Sequence, residues 1–177
     1  MPILPSAFNP EKLLWINAQH MQRLTPEGLA QHLLPYLAAV GVTESLLVAG
    51  PELSAVVALL QERSKTLVEM AAAAEMFYVA PVAGEPKDVE KHLHGQGALL
   101  VILAQALDVL PNWEAAAIHS VIQELAVTHA DGKMGKVAQP LRVAVAGRAV
   151  SPPIDATLAL LGKEETLARL RRAGRWA

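Results

Sequence analysis

His92 and His94 are the closest pair of histidines in the sequence, two imidazoles in a polar segment. A zinc ion asks for a third protein ligand, and with no cysteine and no such ligand nearby they read as surface histidines. Gly132-Lys133-Met134-Gly135-Lys136 has glycines and lysines that could cradle a phosphate. The spacing is not that of a P-loop, so a flexible basic turn is expected there. GxSxG, HExxH and Walker A patterns are absent. His20, His32, His119 and His129 fall singly on predicted helices, as packed or solvated side chains rather than catalytic bases. The carboxylates are scattered along solvent faces, with no close pair in opposed environments to divide acid and base roles. Trp15, Trp113 and Trp176 lie too far apart in sequence for a base-stacking platform, and core packing is expected for the first two. What remains is the chemistry of binding, and catalytic residues, cofactors and metal ions are all expected to be absent.

Charge points to where that binding occurs. The chain has 177 residues, 53% of them hydrophobic and 18% charged, with a net charge of −2. So apolar a composition excludes disorder as the main state, and so small a charge excludes a generally basic, DNA-coating protein. The near-neutral total conceals an asymmetry. Residues 1–132 carry 6 Lys+Arg against 14 Asp+Glu, a balance of −8, whereas residues 133–177 carry 9 against 3, a balance of +6. A basic carboxyl-terminal quarter suggests an anionic partner for one face. The alternative is a free-standing helical interaction module whose basic tail docks a protein. No signal peptide is visible at Met1–Ser6. The longest apolar run, Ala98–Ala104, is far short of the roughly 20 residues of a membrane span, so a buried helix is expected and no membrane association.

The elements that must position these residues read as helices throughout. Ala and Leu abound, and the start signals are clear. Asn9-Pro10-Glu11 and Thr25-Pro26-Glu27 each place a capping side chain, a proline at the first helical position and an acid in the first turn. Phe8 with Leu13, and Leu24 with Leu29, have the spacing of hydrophobic staples. The second helix should stop at Gly41. A third follows Pro51, with Leu53, Val56, Val57, Leu59 and Leu60 as its apolar stripe. Thr66 and Glu69 have capping-box spacing, which predicts a helix from there to about Val79.

The segment 80–86, rich in Pro and Gly, is the best linker and predicts two helical subdomains, 1–82 and 83–177. Beyond it come a short helix near Lys87–Leu93, an apolar one over Ala98–Leu110 and one from Trp113 to about His129, capped by Asn112. Leu141–Val145 alternates like a strand, but a lone strand would have no partner, so helix is expected. Ser151-Pro152-Pro153 opens another helix, ended by Gly162. The last, Lys163–Arg172, should turn Leu167 and Leu170 inward and Arg169, Arg171 and Arg172 largely outward. The expected fold class is therefore all-α, a two-subdomain helical bundle.

Several stretches together resemble the anticodon-binding region of bacterial glutamyl-tRNA synthetases. Ala7-Phe8-Asn9-Pro10-Glu11-Lys12-Leu13-Leu14-Trp15-Ile16-Asn17 resembles that family's FD-x-x-KL-x-W-x-N segment, and Glu62–Glu69 resembles its next landmark. Gly135–Gly147, containing Gln139-Pro140-Leu141-Arg142, resembles K-x-x-QPLR-x-AL-x-G. Ser151-Pro152-Pro153-Ile154 and Leu160–Leu170 are similar to its closing signature. The resemblance covers nearly the whole chain, and the last two segments are its specific ones.

The resemblance implies an all-α cage that holds the splayed anticodon bases of tRNA(Glu). It implies no catalysis by these residues. The nucleotide-binding Rossmann domain of that family lies upstream, so ATP would bind there and this chain alone should be inactive. Single-stranded loops suit such readout because their unstacked bases expose pairing edges. Arg142 matches an arginine that contacts the anticodon. Ser151, Pro152 and Ile154 match the loop and helix start that cradle the first and middle bases. Lys65 matches a position, arginine in some members, that reads the third base, and Arg63 is a second candidate for that role. Members with arginine there tend to accept only tRNA(Glu), and others also accept tRNA(Gln). Lysine keeps the charge but loses the planar fork. For Arg142 the competing reading is a salt bridge within the bundle, and for Ser151 a plain helix cap. A cytoplasmic monomer is expected.

Overall fold

The computed structural model describes residues 9–177, and every regular element among them is helical. The anticipated Phe8–Leu13 staple lies outside the described residues. In chain order the helices are α1 (Pro10–Arg23), α2 (Pro26–Ala39), α3 (Glu44–Ala49), α4 (Leu53–Leu60), α5 (Leu67–Tyr78), α6 (Pro86–Asp88), α7 (Gly97–Asp108), α8 (Ala115–His129), α9 (Met134–Ala146), α10 (Ile154–Leu161) and α11 (Lys163–Ala173). A 3₁₀ turn, Gln61–Arg63, follows α4, and a π-helical turn, Val89–Leu93, continues α6.

The capping signals act as their chemistry dictates. The Asn9 side chain accepts from the Glu11 and Lys12 amides, and Thr25 accepts from Gly28. Thr66 caps α5 by accepting from the Glu69 amide at 3.0 Å, and Glu69 reaches back to the Lys65 amide at 2.9 Å. Each such cap contributes about 1 kcal/mol. The short helix α3, capped by Thr43, is not expected from its sequence. Six residues are too few to display a helical period.

Packing explains the rest. Leu29, Leu33 and Leu37 line one stripe of α2 and meet Val56, Val57 and Leu60 of α4 and Met70, Ala74 and Phe77 of α5. In the carboxyl-terminal half α9 is central, packed against α8, α11, α7 and the π-helical turn. Val137, Leu141, Val143, Ala144 and Val145 are all fully buried. This explains why Leu141–Val145 mimics a strand: a helix apolar on most sides has no single stripe to read. The buried residues of both halves form one contiguous core. The segment 80–86 is packed rather than free. The Glu85 amide donates to the Gly147 carbonyl at 2.7 Å, and Gly147, at φ +73°, lies so close that a Cβ there would sit 2.9 Å from Pro81 Cβ.

Four expectations are corrected. Trp15 is 63% exposed, on a helix whose one buried residue is Met21. Asn112 does not cap α8, which begins at Ala115 without a side-chain cap. The preceding turn is held instead by Trp113, whose Nε1–H donates to the Leu158 carbonyl at 2.8 Å. The basic turn ends at Lys133, and Met134, Gly135 and Lys136 form the first turn of α9. Arg169, expected outward, is 2% exposed. Its Nη1 donates to the carbonyls of Met76 (2.7 Å) and Val145 (3.0 Å), and its Nε to Glu165 at 2.7 Å. It thereby joins α5, α9 and α11.

Candidate nucleic-acid interface

The segment between α4 and α5 presents Arg63 and Lys65, both exposed, around a buried Ser64. Its backbone is held on two sides. Gln61 Nε2 donates to the carbonyls of Met21 (2.7 Å) and Leu24 (2.8 Å), pinning the 3₁₀ turn to the end of α1. Asn17 Nδ2 donates to the Lys65 carbonyl at 2.5 Å, and the capping box fixes the Lys65 amide. The two cationic side chains therefore project from a fixed backbone, which limits the ordering entropy a ligand must overcome.

The second part is the connection from α9 to α10. Three contacts seat it. Arg148 Nη2 donates to the Ala72 carbonyl at 3.2 Å, the Ala149 amide donates to Asp88 Oδ2 at 2.7 Å, and Gly147 is locked as above. Pro152 and Ile154 are buried. Ser151 is not a cap: Pro153 occupies that position and no side chain caps α10. The Ser151 hydroxyl donates to the Pro152 carbonyl at 2.8 Å and accepts from Arg142 Nε at 2.9 Å. With both roles assigned, the hydroxyl aligns the guanidinium.

Arg142 is half-buried and has no carboxylate within ion-pair distance; the ion pairs among the described residues are His119–Asp155, Lys163–Asp108 and Arg169–Glu165. Burial lowers its pKa below the usual arginine value, and the positive charge of Arg63 lowers it further. The two arginines thus act on each other as like charges, and neither has an ion-pair partner among the described residues. Among the described residues the guanidinium makes one side-chain hydrogen bond, through Nε, so both terminal nitrogens remain available to a ligand oxygen. An internal salt bridge for Arg142 is therefore not observed.

The fold thus joins Arg142 to Ser151 and brings the charge of Arg63 to bear on it, with Lys65 two residues along the same fixed segment and Pro152 and Ile154 buried in the loop that carries Ser151. Two uncompensated cations and a rigid loop suit a phosphate or a base edge rich in acceptors. Sequence reasoning missed the supports, Gln61 and Asn17. Each reaches a carbonyl far along the chain, and nothing in a single amide residue signals that. No group of three His, Cys, Asp or Glu residues that could hold a metal ion occurs among the described residues. None of their helices is long and apolar enough to cross a membrane.

The chain is similar to known proteins over nearly its whole length. A family model described as an anticodon binding domain matches residues 28–174. Glutamate–tRNA ligase 1 of Acidithiobacillus ferrooxidans is 92% identical over 171 residues, which is 97% of this chain and 37% of that protein. Glutamate–tRNA ligase 2 of Halorhodospira halophila is 52% identical over 97% of this chain and 36% of its own length. The chain thus spans little more than a third of the curated relatives it matches. Among solved structures, a glutamate tRNA ligase from Elizabethkingia meningosepticum, in complex with its amino acid, superposes with a TM-score of 0.79. It shares 26% identity, and the match covers 95% of this chain and 32% of that one.

Proposed function

Because the chain belongs to the anticodon-binding domain family, in the form found in glutamate–tRNA ligases, we propose that it holds the anticodon of tRNA(Glu). The attachment of glutamate, driven by ATP, belongs to the longer protein of which this region is about a third in its relatives. Arg142 donates to the anticodon through its free terminal nitrogens. The 151–154 loop, seated by Ser151, Pro152 and Ile154, cradles the first and middle bases. Pro152 and Ile154, both buried, shape the cradle rather than read RNA. Arg63 and Lys65 face the third base, where tRNA(Glu) and tRNA(Gln) differ. The domain acts as a monomer in the cytoplasm.

The observation that carries this reading is the Arg142–Ser151 pair beside Arg63 with no carboxylate to neutralise it. Titration of tRNA(Glu) at fixed salt tests it. Arg142→Ala should weaken binding by about 1–3 kcal/mol, the worth of a good charged contact. Its thermal melt should stay near that of the parent, since alanine suits a helix at least as well and the neighbouring like charge is relieved. An early melt with unchanged tRNA affinity would assign Arg142 to the fold instead.

A further inference from the structure

A second basic cleft lies elsewhere on the carboxyl-terminal half, between the start of α9, the end of α8, the α6–α7 connection and one face of α7. Its volume is ≈ 710 Å³. Lys91, His92, His129 and Lys136 line it, and none of the residues lining it is acidic. It shares no residue with the Arg142 site.

Two further features say what would fill it. The start of α9 has no side-chain cap and no acid in its first turn, and it carries Lys133 and Lys136 instead. Cations at the positive end of a helix dipole are unfavourable, and an anion over the free amides of Met134 and Gly135 would relieve them. Gly135 leaves that approach open, since a Cβ there would meet nothing within 4 Å. The rest of the lining is neutral and largely apolar, with Ala98, Leu99, Ile102, Val137 and Pro140 among it. Inorganic phosphate would engage only the basic rim. A nucleotide engages both, its phosphate at the lysines and the face of its base against the apolar side chains.

We propose that this cleft binds one nucleotide unit of an RNA strand, as a contact separate from the anticodon site. The proposal rests on the anticodon reading only for its choice of RNA. Lys91 and Lys136 are exposed, so replacing both by alanine leaves the core untouched. The measurement is the anisotropy of labelled hexauridylate across a salt series. Each phosphate contact on a single strand contributes about 0.7 to the log–log salt slope, so the Lys91→Ala/Lys136→Ala protein should lose about 1.4. The Lys12→Ala/Arg23→Ala control, which removes equal charge on α1, should keep the parent slope. Equal loss in both, or no loss in the cleft variant, overturns the proposal.

Arg142→Ala, run in parallel, separates the two readings. If it abolishes binding while the cleft variant behaves as parent, the anticodon reading stands and the cleft falls. If the cleft variant loses binding while Arg142→Ala behaves as parent, the cleft stands and the anticodon reading falls. Competition by free uridine monophosphate would assign the cleft to free nucleotides, competition by RNA alone to a strand, and competition by neither overturns it.

Discussion

Two arginines, one in the seam of α5, α9 and α11 and one half-buried on α9 against the loop that leads to α10, show how differently a fold can treat the same side chain. Burial lowers the pKa of both. At Arg169 the surroundings answer it: Glu165 accepts from Nε and raises the pKa by more than the charge of nearby Arg172 lowers it, and two carbonyls accept from Nη1. At Arg142 the surroundings add to it: the one partner is a neutral hydroxyl, and the nearby charge is Arg63. A buried charge held by a carboxylate at Nε and two carbonyls at Nη1 belongs to the architecture. A half-buried charge left unneutralised beside another cation is unfavourable on its own, and an anionic ligand changes the sign of that balance.

The largest effect expected from this contrast is at the seam. Arg169→Met keeps much of the aliphatic stem but removes three charge-assisted hydrogen bonds and leaves the Met76 and Val145 carbonyls without a donor. Loss of such bonds costs roughly 3 kcal/mol or more. Urea unfolding should show it as a lower midpoint, while a folded sample should keep most of its tRNA affinity at low temperature. Unchanged stability with lost RNA binding would make the two arginines alike.

A second effect separates seam from site by pH. Tyr78, near the end of α5, is buried, and its hydroxyl donates to the Pro51 carbonyl at 3.1 Å. Burial, then the charge of Glu52, raises its pKa from 10.0 to about 12. A folded-state value above the unfolded one means stability that is complete below pH 10 and is lost as pH climbs from 10 to 12. Two pKa units amount to about 2–3 kcal/mol. Tyr78→Phe should flatten that alkaline decline. Melts recorded from pH 8 to 12 for both proteins check it, and parallel declines would remove Tyr78 as the cause.

The same contrast explains how far the sequence could be read. Helix starts were legible at Asn9, Thr25 and Thr66 because capping is local, three residues at most. The proposed site residues were singled out by resemblance alone, Arg142 through the Pro-Leu-Arg segment, Ser151 through Ser-Pro-Pro and Arg63 and Lys65 through Glu62–Glu69, whereas Gly147 and Gly162 end their helices as glycines do. What was not legible depends on distant partners. Arg169 sits on a helix with Arg171 and Arg172, and on charge alone all three belong to solvent. Its burial follows from carbonyls contributed by α5 and α9, 93 and 24 residues away. Trp15 errs the other way: aromatic size suggests core, yet α1 presents Leu13, Trp15 and Ile16 outward.

The smallest effect expected is at Lys65, and it bears on selection rather than affinity. The Lys65 side chain is exposed, whereas its amide and carbonyl are both bonded, to Glu69 and Asn17. Those bonds use only the backbone, so Lys65→Ala leaves the α5 cap and the position of Arg63 intact, and no change in melting is expected. An exposed ammonium loses little when removed, and the cost in tRNA(Glu) binding should stay below about 1 kcal/mol. What should change is the ratio of tRNA(Glu) to tRNA(Gln) affinities, since the two share the middle anticodon base and differ at the third. Lys65→Arg is the sharper variant: it restores a planar fork able to bond a base edge at two points, and should widen the ratio that alanine narrows. Competition titrations of both tRNAs against parent, Lys65→Ala and Lys65→Arg read this directly. A ratio that stays fixed across the three would take the third base away from Lys65 and leave Arg63, on the same fixed turn, to read it.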